Sequence, residues 1–352
     1  MTGRPLTILS AAYPLAPVGQ DAVGGAEQVL SALDRALHAA GHRSIVVAQD
    51  GSAVAGELRP TPRPAGVLDE AAQRRAQEAA ARTIAAALRA DRVDVVHLHG
   101  IDFHAYLPPW DPPRGPPVLA TLHLPPSWYP PQALRPERPD TWLHGVSASQ
   151  HALLEGQASP LLPPVLNGVP VGALSATRHA RRGFALTLGR ICEEKGQHHA
   201  LDAAHAAGAT LLVGGEVFPY EAHQRFFNEA IRPRLDRHRR FLGPVGFARK
   251  RRLLGAARCV LVASTAPETS SLVAMEAAAC GTPVIAFASG ALPEVVEHGR
   301  TGFIVPDVAG MAQAIAEVDA LDPEVIRQAA RERFGPDRMV ADYLALYRRL
   351  AA

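Results

Sequence analysis

The segment from Ser264 to Gly290, STAPETSSLVAMEAAACGTPVIAFASG, constrains this chain more than any other part of it. It predicts a loop, a short helix from about Ser271 to Cys280, a glycine–proline stop and a buried strand at Val284–Phe287. The helix is apolar on every side except at Glu276, and an all-round apolar helix is typically buried. A buried carboxylate is costly unless it has partners. Glu276 therefore either meets a ligand or is satisfied within the core.

A second carboxylate, Glu268, lies in the loop before this helix, beside the free N–H groups of the helix N-terminus. Carboxylates accept hydrogen bonds from sugar hydroxyls, and free amides bind oxygen lone pairs. The combination favours a polyhydroxylated anion as ligand. The alternative, a core acid that backbone groups elsewhere satisfy, stays open for Glu276. If Glu276 is ligand-binding, Glu276→Gln should weaken nucleotide binding and leave the unliganded fold as stable or more stable.

The spacing Glu268-x7-Glu276 is followed by ACGTPVIA and by GALPEVVEHGRTGFIV at Gly290–Val305. Together these motifs resemble the donor-site signature of retaining GT-B glycosyltransferases, specifically glycosyltransferase family four. The resemblance implies two Rossmann-like, doubly wound α/β domains that face each other across a cleft. The second domain would bind most of a nucleotide sugar. This chain departs from the family at Thr269-Ser270-Ser271, where glycines are usual.

Composition limits the other classes of function. The net charge of +2 over 352 residues gives no bulk attraction to nucleic acid. The three cysteines are widely spaced, which predicts reduced thiols in a cytoplasmic protein. No apolar run reaches the roughly 18 residues of a membrane span, and peripheral membrane contact is not indicated. Lys195 and Lys250 are the only lysines.

The order of predicted elements divides the chain into two α/β domains. Strands alternate with helices from Leu6 onward, and residues 50–66 are predicted as a Pro/Gly-rich connection. With the resemblance, residues 1–170 form an acceptor-side domain and residues 171–335 a nucleotide-sugar domain. Residues 336–352 form a terminal helix that packs back on the first domain. Ligands of such sheets bind outside the carboxyl ends of the strands.

A glycine pair opens the first long helix in AVGGAE, at Gly24 and Gly25, with Glu27 one turn inside. Backbone amides at such a turn can approach an anion, although a simple tight turn is the alternative. Neither a dinucleotide-binding GxGxxG nor a P-loop occurs. The family has a similar motif facing the donor diphosphate and the acceptor. Gly24 and Gly25 are therefore assigned to the donor and Glu27 to the acceptor side.

Histidines end two strands of the first domain, at His97-Leu98-His99 and at Thr121-Leu122-His123. An H-x-H pair could bind a metal, but no third ligand with suitable spacing is nearby, so no metal site is predicted. In the family, a histidine in the position of His123 lies beside the transferred sugar. His123 is thus the predicted catalytic residue of this domain, and His99 an acceptor-side residue. A hydrogen-bonded structural histidine is the alternative for His123.

Residues 108–139 are rich in proline and carry Trp110, Trp128 and Tyr129. Proline cannot supply a sheet ladder, so loops are predicted on both sides of a strand at 118–122. The aromatic rings could stack on an acceptor, for which Trp128 and Tyr129 are the candidates. Ordinary loop packing is the equally open alternative.

The second domain begins with GRICEEKG after its first strand, with Arg190 and Lys195 in the positions that clamp the donor diphosphate in the family. Arginine offers a planar fork to phosphate oxygens and lysine a mobile point charge. Surface charges among the neighbouring glutamates are the alternative. The loop that contains Val245 would lie against the nucleotide base.

These assignments describe a retaining, metal-independent glycosyltransferase without a cofactor, acting on a nucleotide-sugar donor and a hydroxyl-bearing acceptor. A UDP-sugar is the favoured donor, with GDP, ADP and TDP as further candidates. The catalytic residues are His123, Arg190, Lys195 and Glu268. Donor contacts are predicted at Gly24, Gly25, Arg190, Lys195, Val245, Glu268, Thr269, Ser270, Ser271 and Glu276. A GT-B nucleotide-sugar epimerase and a non-catalytic nucleotide-sugar scaffold are the alternatives.

Overall fold

The computed structural model describes residues 4–64, 66, 68–109, 115–176 and 179–352. The chain divides into two compact units. The first comprises residues 1–166 and 337–352, and the second comprises residues 167–336. The sequence-based division differs slightly, because it places the boundaries after residues 170 and 335.

Each unit is built on a six-stranded parallel sheet. The first sheet has the order β3-β2-β1-β4-β5-β6 and the second the order β12-β11-β10-β7-β8-β9. Both are doubly wound Rossmann orders, in which the chain starts at the centre and reverses direction once. The reversal falls between β1 and β4 in the first unit and between β7 and β10 in the second. The strands are β1 (Thr7–Ala11), β2 (Arg43–Gln49), β3 (Glu57–Thr61), β4 (Val95–Leu98), β5 (Val118–Thr121), β6 (Thr141–His144), β7 (Phe184–Leu188), β8 (Thr210–Gly214), β9 (Arg239–Phe241), β10 (Cys259–Val262), β11 (Val284–Phe287) and β12 (Gly302–Val305).

Helices connect these strands, as parallel pairing requires. Asp69 caps the N-terminus of the long helix at Glu70–Ala90, because its carboxylate accepts a 2.7 Å hydrogen bond from the Ala72 amide. The helices are α1 (Gly25–Ala39), α2 (Glu70–Ala90), α3 (Pro131–Leu134), α4 (Ala148–Leu154), α5 (Val171–Ser175), α6 (Gln197–Ala206), α7 (Glu221–Phe226), α8 (Phe247–Ala256), α9 (Leu272–Ala279), α10 (Leu292–Val295), α11 (Val308–Glu317), α12 (Pro323–Arg333) and α13 (Pro336–Leu350). Short 3₁₀ turns lie at Phe103–Ala105, Pro126–Trp128, Glu193–Lys195, Arg232–Arg234 and Val318–Ala320, and a π turn at Phe227–Ile231.

Strand β3 corrects the prediction that residues 50–66 are only a connection. It pairs in parallel with β2, with Ala48 opposite Pro60. Because β3 is the edge of its sheet, the missing N–H of Pro60 costs no ladder hydrogen bond. Proline and charged side chains in this segment gave a loop-like composition, although such residues are usual on edge strands.

The terminal helix α13 packs in the first unit by one face. Met339, Tyr343 and Tyr347 are fully buried on that face, and their spacing of four residues places them on one stripe of a helix. The two tyrosine hydroxyls reach the ends of β4 and β5, where they meet His97 and Thr121.

Within the described residues, no helix is both long enough and apolar enough to cross a membrane.

Candidate active site

The reversal point of the second sheet brings together the two predicted charge motifs. β7 ends at Leu188 and leads into Arg190, while the neighbouring β10 ends at Val262 and leads into Ser264 and Glu268. Loops at the carboxyl ends of adjacent parallel strands meet at one edge of the sheet. Arginine, lysine and glutamate therefore converge there although Lys195 and Glu268 are far apart in sequence.

Lys195 and Glu268 form the central contact of this group. The Lys195 Nζ lies 2.6 Å from Oε1 of Glu268, and the Ser264 hydroxyl donates to the same oxygen. Burial raises the pKa of Glu268, but Lys195, the Ser264 hydroxyl and Arg190 outweigh it and leave the pKa below its ordinary value. Glu268 is thus an ionised, acceptor-only group at neutral pH.

Backbone contacts connect the loop after β7 to the loop after β10. The Thr265 amide donates to the Glu194 carbonyl at 3.0 Å, which ties the loop after β10 to the loop after β7. Gly196 has φ of 63°, and a Cβ at this position would collide with the Ala263 carbonyl. Only glycine fits this close approach without strain. Arg190 lies over the same loop, with Nη2 3.8 Å from Oε1 of Glu194.

The loop before α9 holds Ser271 in the left-handed region, at φ 55° and ψ 70°. This is one of the positions at which the family usually has glycine, and left-handed backbone is the conformation that glycine adopts without cost. The neighbouring Ser270 is buried, and its hydroxyl has no hydrogen-bond partner among the described residues. An unsatisfied buried hydroxyl calls for a ligand or a water molecule.

Glu276 lies on α9, as predicted, but its partner is not one that the sequence suggested. Its carboxylate is 2.6 Å from Nζ of Lys250 on α8, and the two side chains are 4% and 12% exposed. Burial raises the pKa of Glu276, and the ammonium of Lys250 opposes that shift. No lysine or arginine lies within one turn of Glu276 in the sequence. The structure supplies the cation from a separate helix.

Val245 lies beside Gly214 at the end of β8, where a Cβ on Gly214 would approach its methyl group at 3.0 Å. The structure therefore places this residue at the carboxyl edge of the second sheet, one strand from Arg190. Thr269 continues the loop that carries Glu268. All residues predicted to contact the donor in the second unit lie at this edge or on the helix that leaves it.

In the first unit, Gly24 and Gly25 open α1 as predicted. Gly24 has extended backbone, and a Cβ there would collide with the carboxylate of Glu27. The Glu27 side chain folds back over the helix N-terminus, where a negative charge is favoured. Glu27 is buried.

The histidines of the first unit are buried together. Nδ1 of His99 lies 3.0 Å from Nε2 of His123. His97 bonds Tyr347 and Thr121, each at 2.7 Å, and Thr121 also meets Nε2 of His144 at 2.7 Å. These contacts join the ends of β4, β5 and β6 to α13.

Burial and the Gly145 carbonyl together determine where the protons lie in this network. Burial lowers the pKa of His97 and of His144, in the latter case to about 4, so both rings are neutral at pH 7. The Gly145 carbonyl can only accept, so Nδ1 of His144 donates to it and Nε2 accepts from Thr121. The Thr121 oxygen then accepts from Nε2 of His97, and Nδ1 of His97 accepts from the Tyr347 hydroxyl. His97, Thr121 and His144 thus each donate one hydrogen bond and accept one along this chain.

These histidines predict acid sensitivity of the first unit. Burial lowers the pKa of His123 to about 3, while the unfolded value is about 6.5. Below pH 6.5 the unfolded chain therefore binds protons that the folded unit does not. The contribution of these histidines to the free energy of unfolding is fully present above pH 6.5. It falls as the pH drops toward 4, by up to about 1.4 kcal/mol per pH unit for each such histidine.

Urea unfolding at pH 7.5, 6.5 and 5.5 measures this slope. Tryptophan fluorescence reports on the first unit alone, because all three tryptophans precede residue 166. His144→Gln should reduce the slope, and the exposed His38→Gln should not. A slope that both variants leave unchanged would contradict the assignment to buried histidines.

The predicted aromatic platform is only partly exposed. Trp128 is 39% exposed, whereas Tyr129 is 5% exposed and packs in the core of the first unit. The Tyr129 hydroxyl accepts from the Leu124 amide at 3.2 Å. The loop-packing alternative therefore applies to Tyr129, since a core ring cannot stack on a ligand. Trp110 lies outside the described residues.

Two family models match the chain, one in each unit. The Glycosyltransferase Family 4 model matches residues 23–152, and the model named Glycosyl transferases group 1 matches residues 183–319. Together they cover strands β2 to β6 of the first sheet, all six strands of the second sheet, and the two loops that carry Arg190 and Glu268. The chain belongs to the family of glycosyltransferases that these two models describe.

Curated proteins that are similar in sequence match only part of this chain. A glycogen synthase of Mycobacterium tuberculosis is 35% identical over 173 residues, which are 46% of this chain and 41% of that protein. The chain thus matches about two fifths of the length of this curated relative.

Solved structures match this chain along nearly its whole length. AviGT4, a glycosyltransferase involved in avilamycin A biosynthesis, has a TM-score of 0.73 at 24% identity and covers 99% of this chain and 98% of its own. Anabaena Alr3699/HepE in complex with UDP-glucose has a TM-score of 0.71 at 19% identity, covering 97% and 99%. At this identity the likeness shows the fold, which is GT-B.

Proposed function

We propose that this protein is a retaining glycosyltransferase that moves a sugar from a nucleoside-diphosphate sugar to a hydroxyl-bearing acceptor without a metal ion. The observation that carries the proposal is the 2.6 Å contact of Lys195 with Glu268 at the reversal point of the second sheet, beside Arg190. Cations for a diphosphate and a carboxylate for sugar hydroxyls lie side by side there. UDP-sugars are the favoured donors, as the HepE complex with UDP-glucose suggests by analogy.

The charges of this group suit the departure of a nucleoside diphosphate. When the glycosidic bond to phosphate breaks, negative charge develops on the diphosphate, and Arg190 and Lys195 would stabilise it. In the unliganded protein each of these cations faces a carboxylate, Glu194 and Glu268 respectively. Phosphate oxygens would take the place of those carboxylates on the cations. Glu268 is then available to accept hydrogen bonds from the sugar.

The remaining predicted contacts would orient the donor and would not stabilise the charge of the leaving diphosphate. The unsatisfied Ser270 hydroxyl lies in the loop assigned to the sugar ring. Glu276 would accept from the ribose hydroxyls while Lys250 balances its charge. His123 stays the predicted residue of the first unit nearest the sugar, and the Gly24–Gly25 turn a predicted diphosphate contact. A leaving phosphate oxygen can take the acceptor's proton, so no side chain needs to act as a covalent nucleophile.

We also propose that the reaction takes place in the cytoplasm. The three cysteines are free and buried, which suits a reducing compartment.

Hydrolysis of donors in the absence of acceptor tests the proposed activity. UDP-, GDP-, ADP- and TDP-glucose are incubated with the protein, and the products are followed by NMR with and without EDTA. We expect slow release of free glucose that retains the donor's anomeric configuration at first, with an unchanged kcat in EDTA. An altered nucleotide sugar would establish the epimerase alternative instead. Activity that EDTA abolishes and Mg²⁺ restores would overturn the metal-free mechanism.

A further inference from the structure

Three side chains with metal-ligand chemistry meet next to the Arg190 loop. The thiol of Cys192, the carboxylate of Glu194 and the imidazole of His223 each offer one ligand atom, and these atoms all lie within 4.8 Å of one another. Within the part of the chain that the structure describes, this is the one group of three such residues at that distance. Cys192 and Glu194 follow β7, whereas His223 lies on α7.

The backbone around Cys192 and Glu194 is held from several sides. The Ile191 amide donates to the Glu216 carbonyl at 2.9 Å, which links the loop after β7 to the segment that leads into α7. The Glu194 carbonyl accepts from the amides of Thr265 and Ala266. Cys192 is fully buried, and its thiol contacts the Arg190 carbonyl at 3.6 Å and the side chain of Glu194. The backbone and the direct contact between the two side chains therefore hold both ligand groups close together.

His223 is held in place but is not satisfied. Its ring packs edge-on against Tyr220, with ring centroids 5.2 Å apart, and against Phe218 at 6.3 Å. Its Nδ1 is buried and has no hydrogen-bond partner among the described residues. A buried ring nitrogen without a partner is costly, so the ring of His223 is not fully satisfied by the protein groups around it.

We propose that Cys192, Glu194 and His223 form a binding site for a thiophilic divalent cation of the zinc type. One sulfur, one imidazole nitrogen and one carboxylate oxygen are the ligand types of Zn²⁺, whereas Mg²⁺ and Ca²⁺ take oxygen ligands. Three protein ligands leave the fourth tetrahedral position to water. On binding, the thiol loses its proton to solvent as the sulfur–metal bond forms. The thiolate and the carboxylate then balance the charge of the cation.

The cation would also act on Arg190, a consequence that rests on the proposed diphosphate site. Glu194 is the carboxylate that Arg190 faces at 3.8 Å. A metal ion that engages Glu194 frees the guanidinium for phosphate oxygens. Nucleoside diphosphate affinity should therefore rise when the cation is bound, and by reciprocity the cation should bind more tightly in the presence of the nucleotide.

Cobalt titration of the reduced, chelator-treated 352-residue protein tests the site, because Co²⁺ occupies zinc sites and absorbs light when bound to a thiolate. We expect one equivalent of Co²⁺ with a thiolate-to-cobalt charge-transfer band, which Zn²⁺ displaces. Cys192→Ser and His223→Gln should remove the band and weaken Zn²⁺ binding by at least about tenfold. Cys280→Ser, at another buried free thiol, is the matched control. Circular dichroism verifies that each variant is folded.

Each outcome of this experiment decides the proposal. Absence of a cobalt–thiolate band in the wild-type protein would overturn the metal site, as would a band that Cys192→Ser and His223→Gln both retain. UDP titration with and without Zn²⁺ tests the action on Arg190 separately. An unchanged UDP Kd in Zn²⁺-loaded protein would refute that action. No UDP binding under either condition would count against the proposed function while the cobalt band still established the metal site.

Discussion

Lys195→Ala is expected to lower kcat by about 100-fold or more while it weakens nucleotide binding much less. The Lys195 side chain is 30% exposed, and its Nζ lies 2.6 Å from Glu268. Under the proposed function, this contact holds the ammonium where charge develops on the leaving diphosphate. A contact that strengthens as that charge develops acts on the transition state more than on the bound donor. Steady-state donor hydrolysis or transfer measures kcat, and calorimetry with UDP measures binding.

Arg249→Ala is the matched control, because Arg249 is an exposed cation on α8 of the same unit. It should leave kcat unchanged. Near wild-type turnover of Lys195→Ala would remove Lys195 from the catalytic group. An equal loss in both variants would point to the overall charge of the unit and not to the contact with the diphosphate.

Glu276→Gln is expected to destabilise the unliganded second unit by roughly 3 kcal/mol, since removing one partner of a buried ion pair leaves the other uncompensated. This expectation reverses the one drawn from the sequence, which foresaw an unchanged or more stable fold. The reason for the reversal is Lys250, which is nearly as buried as Glu276 and contacts it at 2.6 Å. Denaturant unfolding followed by circular dichroism measures the loss.

The double variant Lys250→Met/Glu276→Leu separates charge from shape. Replacing both partners by apolar residues should recover most of the stability that Glu276→Gln loses, because neither charge is then left unpaired. Nucleotide affinity should stay low in both variants if Glu276 receives the ribose hydroxyls. A double variant that binds UDP with wild-type affinity would assign Glu276 to the scaffold alone.

The architecture was predictable because its signal is local. Apolar runs such as Val284–Phe287 and the amphipathic stripe of α13 are properties of consecutive residues, and the strand–helix alternation follows from them. Strand β3 was missed because an edge strand tolerates Pro60 and polar side chains, which remove the apolar signal. The structure confirms the GT-B fold class expected from the motifs.

The site was predictable only where a motif carried it. Arg190, Lys195 and Glu268 stand in recognisable strings, and the reversal point of the sheet explains why the two strings meet. The pairing of Glu276 with Lys250 and the approach of His223 to Cys192 were not predictable, since each joins separate elements across the fold. A lysine count was the one available signal: a chain that otherwise uses arginine keeps lysine at two positions.

Those two lysines limit the side chains that amine-directed reagents can label. Its positive side chains are otherwise arginines, which do not react with acylating reagents, so Lys195 and Lys250 are the only side-chain amines. Both lie in the second unit and both contact a carboxylate at 2.6 Å. Amine-directed reagents, which label most proteins all over their surface, are here confined to the chain terminus and to these two ion pairs. General lysine chemistry thereby becomes site-directed labelling of the region proposed to hold the donor.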